Sequence, residues 1–144
     1  MKSFKAISKI LILFLATISV FACATKEDNV MERVAIGFGQ HYFNLRFVDA
    51  AKMCTHESQK WISYRATNIT QSDLDVYNAQ LDTAVCDIDD IEEYSDSAKI
   101  SLKVCNFLSK DSIGDNAHIC EEATFVINLK KEGSAWHVDL REPL

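Results

Sequence analysis

Ala123-Thr124-Phe125-Val126-Ile127-Asn128-Leu129, then Lys130-Lys131-Glu132-Gly133-Ser134-Ala135, then Trp136-His137-Val138-Asp139-Leu140, is the stretch that decides the fold. Apolar side chains alternate with others at a period of two on both sides of a Glu132-Gly133 turn signal, the pattern of an antiparallel hairpin with one buried face. A two-residue loop at 132–133 sets Leu129 opposite Trp136, Ile127 opposite Val138 and Phe125 opposite Leu140, so each apolar residue meets an apolar partner.

Toward the N-terminus the same period continues. Ala98, Ile100, Leu102 and Val104 share one face, with Lys99, Ser101 and Lys103 on the other. Ser95-Asp96 is the turn back to a strand over 84–94, in which Cys86 and Ile88 are in phase and Ile91 is not, which predicts a bulge near Asp89-Asp90. Further upstream the period becomes helical. Val30, Val34, Phe38, His41/Tyr42 and Leu45 form one face, with Asp28 or Asn29 as the cap. Gly37 and Gly39 weaken this helix by about 1 kcal/mol each relative to Ala, and such glycines permit close packing. Residues 48–54 and 57–64 read as a second helical region, and Ser72-Asp73-Leu74-Asp75 opens a third. Helices first and a meander after them predict an α+β fold, with N-terminal helices packed on one face of a curved four-stranded antiparallel sheet.

The length of 144 residues suits one domain, over 29–144. One Pro and four Gly exclude a collagenous or Pro/Gly-rich disordered chain. The formal net charge is -6, and the first 22 residues hold three lysines and no acid, so the remainder stands at -9. A domain so acidic repels phosphates, and no nucleic-acid partner is expected.

Residues 1–22 read as an address. A basic start is followed by the apolar run Ile10–Ala22, which as a helix spans roughly 20 Å, short of the ~30 Å of a bilayer core. It is a signal peptide by this reading. Val20-Phe21-Ala22-Cys23 resembles the lipobox of bacterial lipoproteins, which implies acylation of Cys23, a membrane partner through that anchor, and a tether over 23–28. Ala24, where Asp would imply inner-membrane retention, resembles the pattern of lipoproteins sorted to an outer membrane. Lys26-Glu27-Asp28 resembles the short export signal of lipoproteins displayed at the cell surface.

Asn44-x-x-Phe47-x-x-Ala50-Ala51-Lys52-x-Cys54-Thr55-x-Glu57, followed by a meander ending Ile127-Asn128-Leu129-Lys130-Lys131-Glu132-Gly133-Ser134-Ala135-Trp136-His137-Val138-Asp139, resembles small bacterial lipoproteins of the nuclear-transport-factor-2-like (NTF2-like, cystatin-like) superfamily. The resemblance implies a cone of helices and curved sheet with a pocket. Phe38, His41, Trp61, Tyr64 and Phe125 are the candidate lining residues. The superfamily includes isomerases and dehydratases that place acids and bases in that pocket; here His41 or Tyr64 would have to serve. The helix-facing positions Ala98, Ile100, Leu102, Val104, Ala123, Phe125, Ile127 and Leu129 are all apolar, which favours a non-catalytic module for a small apolar ligand or an envelope protein. No cofactor is expected, and homodimerisation through the outer sheet face, where Phe107 and Val126 are placed by alternation, is the remaining partner expectation.

With Cys23 acylated, Cys54, Cys86, Cys105 and Cys120 remain, an even number in an exported chain. Setting Leu102 opposite Ala123 places Cys105 opposite Cys120, which predicts Cys105–Cys120 across the strands and Cys54–Cys86 between helix and sheet. The alternative, Cys86–Cys105 with Cys54–Cys120, requires that the bulge be absent. Cys54-x-His56 and His118-x-Cys120 lack the spacing of a zinc site, and the run from Asp87 to Glu93 lacks the Gly and Glu of a calcium loop. Thr83, Ser97 and Ser112 each follow Asp and precede an apolar residue, an acceptor pattern for O-glycosylation in some envelope bacteria.

Overall fold

The computed structural model describes residues 25–144, with side chains from Val30 onward. Residues 1–22, read above as a signal peptide, and Cys23 lie outside the described residues. Helix α1 spans Thr25–Phe43, α2 Phe47–Lys52, a 3-10 turn His56–Ser58, α3 Gln59–Thr67 and α4 Gln71–Ala79. Strands β1 (Val85–Glu93), β2 (Ser97–Ser109), β3 (His118–Glu132) and β4 (Ala135–Val138) follow as one antiparallel sheet in the order β1-β2-β3-β4. This is the expected α+β layout. The helix start differs: residues 25–28, read as tether, are already helical, since nothing in Thr-Lys-Glu-Asp interrupts a helix.

Helix α1 ends at the expected break. Leu45 takes φ +59, Leu45 N–H bonds the Tyr42 carbonyl and Arg46 N–H bonds the His41 carbonyl at 2.8 Å, the paired closure of a Schellman motif. Asn44 then bridges to the sheet: its amide donates to the Ala84 carbonyl at 3.0 Å and its oxygen accepts from Ala84 N–H at 2.9 Å. The end of the helix and the start of β1 are thereby joined.

The bulge lies where phase analysis places it. Ile88 pairs with Leu102 and Asp90 with Ser101, leaving Asp89 as the extra residue. Both Ile88 and Ile91 consequently pack on the core. Up to Cys105 in β2 the strands keep the expected faces, but the two following pairings do not keep the expected register. Leu129 stands opposite Val138 and Phe125 opposite Leu102, each two residues along from the prediction. The β3–β4 loop is Gly133-Ser134, with Gly133 at φ +64 in the first loop position, where a II′-type hairpin turn requires it.

The core lies between α1 and the sheet. Met31, Ala35, Phe38 and Tyr42 from the helix meet Ile100, Leu102, Val104, Ile127, Leu129 and Val138, all buried. Gly39 permits this approach, because a Cβ there would lie 2.5 Å from Leu102 Cδ2 and 2.9 Å from Cys86 Sγ. The β4 edge is covered by Met53–Thr55: Thr55 N–H bonds the Val138 carbonyl and Val138 N–H the Met53 carbonyl, both at 2.9 Å. Among the described residues no helix is long and apolar enough to cross a membrane.

Candidate binding site

The wall that faces α1 is apolar as expected, and it is packed by helix side chains. The five candidate pocket residues do not converge on one cavity. Phe38 is fully buried and stacks on Tyr42 at 5.5 Å between ring centroids. Phe125 belongs to an aromatic trio with Phe43 (4.7 Å) and Phe107 (5.4 Å). Trp61 packs at the core margin beneath Lys60. His41 closes the Schellman turn through its carbonyl, and its Nδ1 has no hydrogen-bond partner among the described residues. Tyr64, 41% exposed, stands on the rim of a surface cleft.

That cleft, about 290 Å³, lies where α3, the β2–β3 loop and the C-terminal segment meet, and Tyr64, Arg65, Lys110, Ile113, Pro143 and Leu144 contribute to it. Two polar contacts organise it. Lys110 Nζ bonds Asp73 Oδ2 at 2.6 Å with the side chains 9% and 2% exposed. Asp73 also caps α4 in a box with Thr70, accepting from Thr70 N–H at 2.7 Å. Burial alone would raise the Asp73 carboxyl, but the bonds from Lys110 and Thr70 outweigh it and hold the group below its ordinary value. Tyr42 supplies the second contact: its hydroxyl donates to the Leu144 carbonyl at 3.2 Å. Burial pushes this phenol up to about 12, partly offset by the nearby Arg65 charge, so it is a donor at neutral pH and not a base.

The Asp73–Lys110 pair was not legible as a site. The Thr70-x-x-Asp73 spacing does carry a capping-box signal, but Lys110 is remote in sequence and only the fold brings it there.

The cysteine pairings are corrected. Cys54 is held at the β4 edge by its bridge to Val138, whereas Cys86 lies on β1, the opposite edge of the sheet. Burial pushes both thiols up to about 12, and Cys54 donates to the Ala50 carbonyl at 3.3 Å. Cys105 stands opposite Glu122 and Cys120 opposite Phe107, because the strands lie two residues from the predicted register. Cys86 pairs with Val104 and Cys105 with Val85, so the bulge also separates the alternative pair, Cys86 and Cys105. All four are free thiols. Cys105 Sγ lies 3.7 Å from Glu122 Oε2, whose carboxylate is paired with Lys103 at 2.8 Å.

Phe107, expected on the outer face, is buried in the aromatic trio, since Asn106 at φ +56 turns the strand; Val126 remains outside, 54% exposed. Thr83 and Ser112 are exposed, while Ser97 is half-buried at the start of β2 and its carbonyl accepts from Tyr94 N–H. His56 and His118 are exposed, and no three His, Cys, Asp or Glu side chains converge among the described residues.

No protein-family profile and no curated protein sequence matches the chain. Among solved structures, a Campylobacter jejuni protein named as an NTF2-like transpeptidase is similar, with a TM-score of 0.48 and 16% identity, over 77% of this chain and 98% of that chain.

Proposed function

We propose that the protein is a lipid-anchored component of the bacterial cell envelope, held at the outer membrane by an acylated Cys23, and that its domain is a non-catalytic binding or interaction module of the NTF2-like kind. The anchor rests on the lipobox-like Val20-Phe21-Ala22-Cys23. The non-catalytic reading rests on one observation: the sheet face that would line a catalytic cone is Ala98, Ile100, Leu102, Val104, Ile127 and Leu129, buried and without a proton-transferring group. General acid–base chemistry needs such a group within reach of a bound substrate. The polar groups lie at the rim instead, and those at Tyr42 and Lys110 are engaged in internal bonds.

Intact-mass measurement of the protein extracted from bacterial membranes tests both parts. Acyl mass at Cys23, absent from Cys23→Ser, is the expected result for the anchor. A co-purified ligand or a cross-linked envelope protein is the expected result for the module. Unacylated Cys23 overturns the anchor, and a measured isomerase or dehydratase turnover abolished by His41→Ala overturns the non-catalytic reading.

A further inference from the structure

We propose that residues 141–144 are a displaceable strap, in which Pro143 and Leu144 occupy the site of a free long-chain carboxylate whose head would be held by Arg65 and Tyr42. The proposal rests on the binding-module reading and names its ligand.

Leu144 is half-buried against the core, and its carbonyl accepts the Tyr42 hydroxyl at 3.2 Å. A branched alkyl group carrying an oxygen acceptor is a fragment of the chemistry that a fatty acid presents. The aromatic rings of Phe43, Phe107 and Phe125 form an apolar layer nearby, and Phe125 and Leu144 line one further cleft together. At the rim, Tyr64 and Ile113 leave apolar surface in water, 41% and 71% exposed.

The charge arrangement selects an anion. Lys110 is neutralised by Asp73, whereas Arg65 has no carboxylate partner among the described residues. Its Nη2 donates to the Leu108 carbonyl at 3.3 Å, and a guanidinium has further N–H donors in the same plane. A half-buried cation beside apolar surface and a phenolic donor suits a carboxylate with an alkyl tail better than a neutral lipid.

The strap is lightly held. Leu140 is the last well-anchored residue, its N–H donating to Ser58 Oγ at 2.8 Å. Beyond it, among the described residues, the polar contacts are the Tyr42–Leu144 bond and an ion pair between Arg141 and Asp139, with Arg141 81% exposed. Pro143 has no N–H to donate. A ligand able to make the Tyr42 contact therefore competes with the chain itself, and its apparent affinity is reduced by the fraction of time the strap is closed.

Calorimetric titration of the full chain with dodecanoate below its micellar concentration tests this, with dodecanol as the neutral probe of equal length. Deleting Pro143 and Leu144 is expected to tighten dodecanoate binding by about tenfold or more, as for a strap closed nine-tenths of the time. Leu144→Ser, which keeps the chain length, shifts it in the same direction. Arg65→Gln, with its melting temperature checked, removes the preference for dodecanoate over dodecanol. Equal dodecanoate affinity with and without the two residues overturns the strap while leaving the binding-module reading intact. Equal affinity for both probes in the unmodified chain overturns the carboxylate site. No binding by any variant overturns strap and site together, and the module reading then depends on the cross-linked partner alone.

Discussion

The sheet's two ends are built by different physics. Under α1 the contact is apolar on both sides, and Phe38, Leu102, Ile127 and Val138 are fully buried in one core cluster. At the other end the chain turns repeatedly, and polar contacts hold the turns: Asp73 with Lys110, Tyr42 with Leu144, and Arg65 with the Leu108 carbonyl. Dispersion and hydrophobic burial tolerate no gap but need no partner of a given type. Buried polar contacts tolerate rearrangement but not the loss of one member. The first end therefore behaves as a fixed floor and the second as a set of latches.

The largest expected break of this contrast is at the floor. Phe38→Ala should cost about 3–5 kcal/mol in urea unfolding, because the site is fully enclosed and cannot collapse. At the latches, Lys110→Ala should cost a comparable about 3–5 kcal/mol by stranding the buried Asp73 carboxylate. The two are told apart by rescue. Asp73→Asn with Lys110→Met, which keeps an oxygen for the Thr70 cap, should recover most of the latch loss, and no second polar change should recover Phe38→Ala. If the double variant is no better than Lys110→Ala, the latch is packing and not charge.

Smaller effects sharpen the comparison. Gly39→Ala places a methyl 2.5 Å from Leu102 and should cost about 1–3 kcal/mol, with α1 displaced from the sheet. Tyr42→Phe removes one hydrogen bond and should cost about 0.5–1.5 kcal/mol, with faster amide exchange confined to the end of the chain.

The pH profile probes the latches on both limbs and the floor on the alkaline one. Asp73 is depressed below its ordinary 3.8 in the folded chain, so its contribution is complete above that value and is lost as pH falls through the folded one. Cys54 and Cys86 rise from 9.0 to about 12 and Tyr42 from 10.0 to about 12, so their contributions are complete below about pH 9 and decline as pH climbs toward 12. Cys54→Ala with Cys86→Ala should flatten the alkaline limb and leave the acid limb unchanged. Peptide mapping without reduction should find neither Cys54–Cys86 nor Cys86–Cys105, since the fold places the first pair at opposite edges and the second on opposite faces.

Alternation and helical spacing by themselves determined the α+β order, the Asp89 bulge and the apolar identity of the helix-facing wall, because each is a local consequence of where side chains point along a strand or helix. The hairpin registers were decided only in three dimensions. A slip of two residues leaves every face unchanged, so the pattern of Ala98 to Val104 against Ala123 to Leu129 is blind to it, and the positive φ of Gly133 selects the loop. The predicted Cys105–Cys120 pairing fell with that register, and Cys54–Cys86 with the placement of its members at opposite sheet edges. The rim, with Asp73 meeting Lys110 and Tyr42 meeting Leu144, joins residues 37 and 102 positions apart, and a contact across such separations exists only once the sheet and helices have brought its members together.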